Sequence, residues 1–146
     1  MVGRLVAVRV SVPPGVFLFL PLLNFEADNV CVDPPLTIDQ LKQEAAQVID
    51  ATTELHAMLD GSAISDDLFG FRVKSPVFSY VLPPDDNLAQ FFGCDVDGTV
   101  TPAVGDGYYL MLPPLPRGQH TIDFGGTLGS PYDFSLDITY DLTVTG

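Results

Sequence analysis

Over residues 134–145 the chain changes character at every position: Phe134, Leu136, Ile138, Tyr140, Leu142 and Val144 alternate with Ser135, Asp137, Thr139, Asp141 and Thr143. A period of two puts one set on each side of an extended ribbon, and a helix cannot gather either set onto a single face. The last third is therefore predicted to be strand. Just upstream, residues 104–126 read VGDGYYLMLPPLPRGQHTIDFGG. This stretch holds two further predicted strands, 108–112 and 119–124, joined by a proline and glycine corner that fits no helix.

The rest of the chain reads as strands added to that pair, with one helix inserted. Residues 5–12 alternate, with Val6, Val8, Val10 and Val12 on one face and Leu5, Ala7, Arg9 and Ser11 on the other. After the Pro13, Pro14, Gly15 turn, residues 16–23 return as an apolar run, giving a predicted hairpin whose second strand is covered on both faces. Residues 24–35 read as acidic loop. Thr37 and Gln40 then form a capping box that opens a helix with Leu41, Ala45, Val48 and Ile49 on one face, ending near Ala51. The stretch 52–59 is predicted as strand, turning at Asp60 and Gly61 into 62–64. Residues 69–75 and 77–82 are strand-like around Pro76, 88–92 is a short apolar stretch, and 92–107 is a loop of glycine and aspartate.

A chain of 146 residues is one domain by length, large enough to bury a core without metals. Thirteen glycines, thirteen prolines and no tryptophan favour many turns and short strands. The fold class predicted is all-β, a mainly antiparallel β-sandwich of Ig-like or jelly-roll type, with one inserted α-helix near residues 37–51. Six Lys and Arg stand against nineteen Asp and Glu, a net charge of −13 that argues against nucleic acid and anionic membrane surfaces as partners. No apolar run reaches the roughly 18 residues needed to cross a bilayer as a helix. An export signal is missing from residues 1–23, whose arginines bracket a short alternating segment. Cys31 and Cys94 leave a disulfide and two free thiols both open, and no CxxC pair suggests redox chemistry.

Residues 91–101, FFGCDVDGTVT, imitate the opening of the haloacid dehalogenase phosphotransferases, in which an apolar strand precedes DxDGT. The context refuses the reading, because no lysine follows Thr101 and no parallel α/β pattern surrounds the motif. Asp95 and Asp97, with Asp106, offer the hard oxygens that calcium takes, although the closing glutamate of an EF-hand is lacking; solvated turns are the plainer reading. His56 and His120 are the only neutral-pH bases, each on a predicted strand, and no nucleophile motif accompanies them. Arg72 and Arg117 are scarce cations suited to carboxylate or sulfate ligands, or to the protein's own acids. Tyr108 and Tyr109 beside Asp106 place an aromatic next to an acceptor, as sugar-binding loops do. The candidate binding residues are thus Asp106, Tyr108, Tyr109, Arg72 and His120.

The segments RVKSPVFSYVLPPDDN and AVGDGYYLMLPPLPRGQHTIDFGG, followed by FSLDITYDLTV, resemble a group of uncharacterised exported bacterial proteins. Their shared signature is close to ADGYW, a hydrophobic strand, PLxPGxHTIxFGG and a final strand containing tyrosine. The resemblance extends to VPPGVFLFLPLLN and to the turn at Asp60, and departs at Tyr109, where the signature has tryptophan. It implies an extracellular or cell-surface location, a missing leading segment that longer relatives carry, and an exposed sheet edge that would pair with a second copy. It implies no activity. The functional expectation is a non-enzymatic module that binds glycan or protein or serves assembly; the alternative is a secreted hydrolase with a site built from loops.

Overall fold

The computed structural model describes residues 2–146, with side chains from Val8 onward, so the facing expected for Leu5, Val6 and Ala7 lies outside the described residues. In chain order it runs β1 (Val2–Val12), β2 (Leu18–Asp28), α1 (Ile38–Asp50), β3 (Thr52–Leu59), β4 (Ser62–Ala63), a 3-10 turn (Phe69–Phe71), β5 (Arg72–Lys74), β6 (Phe78–Leu82), the one-turn helix α2 (Leu88–Phe91), β7 (Gly98–Leu112), β8 (Gly118–Leu128) and β9 (Phe134–Val144). Among the described residues the strands form two sheets. One has the order β1-β9-β8-β3-β4; the other has β2-β7-β5, with β6 also on β7. The pairs β3·β4, β3·β8, β6·β7 and β8·β9 are antiparallel, and β1·β9 is parallel. The expected all-β, mainly antiparallel sandwich with an inserted helix is the fold observed.

The chain gathers into two compact units, one of Met1–Asn24, Val48–Val73 and Gly107–Gly146, the other of Phe25–Gln47 and Lys74–Asp106. The first unit holds the whole five-stranded sheet together with residues 18–24 of β2 and 107–112 of β7. Alternation puts Ile122, Phe124, Leu142 and Val144 on the buried side of the five-stranded sheet, and Ile122, Phe124 and Leu142 line one apolar cavity with Leu20 of β2; Leu22, Leu110 and Leu112 are buried as well. Phe124 and Tyr140 stack at a centroid distance of 6.0 Å. On the opposite, outward face of β3, β8 and β9 lie His56, Asp123, Thr139 and Asp137.

In the second unit the α1 cap predicted from sequence is present: the Thr37 backbone N–H donates to Gln40 Oε1 at 2.8 Å, and the Gln40 N–H donates to Thr37 Oγ1 at 3.3 Å. Leu41 and Ala45 then pack on Ala27 and Val104. A second cluster joins Leu82, Ala89 and Val100, with Val30, Tyr80, Cys94 and Val96 against it. A disulfide links Cys31 and Cys94 across this cluster.

Several local expectations are corrected. Strands β1 and β2 are no hairpin: they lie in different sheets, and Val10 and Val12 face Leu18 and Leu20 across an apolar cavity of about 280 Å³. The run 16–23 is not covered on both faces, since Phe19 is 57% exposed. Strand β2 continues to Asp28 through what reads as acidic loop, and β7 begins at Gly98, because β6 recruits residues 98–103 as a pairing partner. Phe69 opens no strand; the Asp67 carboxylate accepts the Gly70 N–H at 3.1 Å and folds the chain into the 3-10 turn before β5. The turn at Asp60 and Gly61 is as expected, with positive φ at both residues and Leu59 opposite Ser62.

Candidate functional site

Where β2 ends, Ala27 is buried, so the two-residue period turns Glu26 and Asp28 together to the other face. Strand β6 brings Tyr80 to the same place, and its hydroxyl donates to Asp28 Oδ2. Asp28 Oδ1 accepts the Val30 N–H at 2.7 Å. These groups line a cleft of about 590 Å³ in the second unit, whose other walls are Val30, Leu82, Leu88, Ala89, Phe92 and Cys94. The helix α2 builds one rim. Asn87 caps it by accepting the Gln90 N–H at 2.9 Å, and the buried Asn87 amide donates to the carbonyls of Pro83 and Val96, each at 2.8 Å. So held, one helical turn leaves Phe91 82% and Phe92 73% exposed, packed edge to face at 5.3 Å.

The electrostatics of this cleft are unusual. Much of the Glu26 side chain is open to solvent, yet partial desolvation of its carboxyl, then the Asp28 charge and a hydrogen bond with Asp28, push it up to about 7. Desolvation and the hydrogen bond to Asp28 likewise raise the Tyr80 hydroxyl. By linkage, Glu26 favours the fold fully below its ordinary value of 4.5, and this contribution is lost as pH rises through about 7. Near neutral pH Glu26 can therefore donate or accept a hydrogen bond in this cleft, beside exposed aromatic rings.

The structure distributes the sequence-selected residues widely. Tyr108 is buried, edge-on to Phe69 at 5.5 Å, whereas Tyr109 is half-buried and stacked on Phe19 at 5.4 Å. The two tyrosines thus point to opposite faces of β7. Arg72 Nη1 donates to Asp50 Oδ1 at 2.6 Å. Asp106 is buried, with Lys74 Nζ 3.9 Å from it, while Asp95 and Asp97 are exposed in the loop before β7. Among the described residues, Asp95, Asp97 and Asp106 are not a set with ligand atoms close enough to share an ion. The set that is consists of His56, Asp123 and Asp137, whose ligand atoms lie within 4.8 Å of one another.

His120 sits at the start of β8 beside a cleft of about 620 Å³ that also includes Ser11, Asp60 and Asp141. Its Nδ1 is 2.8 Å from Asp60 Oδ2 and its Nε2 is 2.9 Å from the Pro116 carbonyl oxygen. Both neighbours are acceptors, so only the doubly protonated ring satisfies both. Asp60 also accepts the Thr121 N–H at 2.8 Å. Its hydrogen bonds to His120 and Thr121 hold the Asp60 carboxyl low, and those to Asp60 and Pro116 hold His120 high. Their stabilisation has opposite pH limits: the His120 part is complete below about 6.5 and fades as pH rises through its raised value, while the Asp60 part is present above about 3.9 and fades as pH falls through its lowered value. In an NMR titration His120 is expected to show a midpoint above about 6.5, and Asp60→Asn to bring it down. A midpoint at or below that reference in the native protein would mean the corner is not clamped by an imidazolium.

Sequence reasoning missed Glu26, Asp28 and Tyr80. The i, i+2 acids of FEAD are a readable signal, but only if residues 25–28 are taken as strand. Comparison with known protein families, with characterised proteins and with solved structures finds no match to this chain. No helix among the described residues is long and apolar enough to cross a membrane. The class that fold and site define is an all-β, sandwich-like domain with one disulfide and an acid-lined cleft that Cys94 of that bridge helps to wall.

Proposed function

We propose that this protein is a non-enzymatic, exported or cell-surface binding module whose ligand is a glycan, held in the cleft of Glu26, Asp28, Tyr80 and Phe92. The observation that carries the reading is the combination of carboxyl acceptors with the exposed rings of Phe91 and Phe92 on one rim. Sugar hydroxyls are donors that a carboxylate accepts strongly, and the apolar faces of a pyranose lie against aromatic rings. With a net charge of −13, the protein repels sulfated and sialylated chains, so neutral sugars or amino sugars are the fitting class. Export is supported by the Cys31–Cys94 bridge, because disulfides persist in oxidising compartments. The resemblance to exported bacterial proteins belongs to the same proposal.

A hydrolase has one specific observation in its favour: Ser11, His120 and Asp60 line one cleft, and the Nδ1 contact to Asp60 has the orientation of a catalytic triad. The nitrogen that would take the serine proton, Nε2, is instead engaged by the Pro116 carbonyl. Isothermal titration against neutral and amino oligosaccharides tests the binding reading. Asp28→Asn and Phe92→Ala are expected to weaken binding by about tenfold or more. Absence of binding across the panel would remove the glycan assignment, and ester hydrolysis abolished by Ser11→Ala would replace it with the enzyme.

A further inference from the structure

Strands β3, β8 and β9 pair so that His56, Gly125 and Asp137 form one row across the outer face of the five-stranded sheet, and Met58, Asp123 and Thr139 form the next. Gly125 stands between the histidine and the aspartate. A Cβ there would lie 2.9 Å from His56 Cε1, so the absence of a side chain is what lets the imidazole lie across the middle strand. His56 Nε2 then stands 3.2 Å from Asp123 Oδ1 and 3.6 Å from Asp137 Oδ1. The other oxygen of Asp123 is anchored, since the Thr139 hydroxyl donates to Oδ2 at 2.8 Å and leaves Oδ1 turned to the histidine.

We propose that His56, Asp123 and Asp137 bind one zinc-class divalent cation. Ligands at bond lengths of about 2.1 Å around a tetrahedral or octahedral ion stand roughly 3.0–3.4 Å from one another, close to the two separations observed here. A simple ion pair explains the arrangement less well, because a single N–H on Nε2 serves one acceptor and 3.6 Å is too long for a second hydrogen bond. One imidazole with two carboxylates suits zinc, manganese or cobalt; calcium takes more oxygens and no nitrogen. The Thr139 contact is the outer-shell support that orients such a ligand. All three ligand side chains are partly exposed, so the remaining coordination positions open to water or to a donor from another molecule. The site is in the first unit and does not depend on the glycan reading.

The test is calorimetric titration of tag-free, chelator-stripped protein with zinc, repeated with cobalt so that the absorption spectrum reports nitrogen and oxygen ligation. One equivalent is expected to bind. His56→Gln and Asp137→Asn should each weaken binding by more than the 10–100-fold that loss of an outer-shell partner costs, and Thr139→Val by about tenfold. Circular dichroism establishes that each variant is folded. Absence of zinc binding, binding unchanged in folded His56→Gln and Asp137→Asn, or calcium bound as tightly as zinc would each overturn the assignment.

Discussion

Gly125→Ala is expected to cost more than about 4 kcal/mol, the range reserved for severe backbone or core lesions. The added Cβ would meet the Leu136 carbonyl oxygen at 2.0 Å and its carbon at 2.8 Å, and both belong to the neighbouring strand. No rotamer relieves such a contact. The pairing that holds Gly125 opposite Asp137 must open, and with it the inward neighbours Phe124 and Ile138 lose their seat. Because domains are stable by only about 5–15 kcal/mol, the variant should be largely unfolded or have a strongly reduced urea midpoint. Gly129→Ala is the control: its Cβ would meet only the Thr53 methyl at 3.0 Å and the Ala51 carbonyl oxygen at 3.7 Å. If Gly125→Ala melted like Gly129→Ala, the register of β8 against β9 would be wrong.

Removal of the disulfide is the second large effect expected. Cys31 and Cys94 are 63 residues apart, so in the chain-entropy account their bridge removes loop freedom from the unfolded chain worth about 4 kcal/mol. The double variant Cys31→Ala, Cys94→Ala should show a urea midpoint lower by that amount divided by the denaturant slope. Cys94 packs against Leu82, Ala89 and Val100, so hydrogen exchange should rise first in residues of that cluster and around α2. An unchanged midpoint, with thiol counting confirming that the bridge was present in the parent, would refute the entropic account for this chain.

The parts of the fold that were legible in the sequence are those decided within a few residues. Thr37 and Gln40 announce a helix start by themselves, Asp60 and Gly61 a two-residue turn, and the alternation from Phe134 to Val144 a strand, although only Leu142 and Val144 of its apolar set are buried. What stayed hidden depends on distant partners. Nothing local in Val10 or Leu18 says that their strands lie in opposite sheets, and Gly98 starts a strand only because β6 is there to pair with it. The sites follow the same division. Motif searches look for HxH or HExxH within one element, whereas His56, Asp123 and Asp137 come from three strands and meet through register alone. Tyr108 and Tyr109 drew attention as neighbours, yet alternation sends them to opposite faces.

The parallel partnership of β1 with β9 makes one seam of the five-stranded sheet a long-range pairing. Thr145 donates its backbone N–H to the Val12 carbonyl at 3.0 Å, so the outermost seam of the sheet joins residues more than a hundred positions apart. Pairings this remote in sequence raise the contact order of the fold and belong to the slow, millisecond-to-second regime of folding. While that seam is open, β1 and β9 each present an unclaimed ladder, the kind of edge on which a strand of another chain can pair.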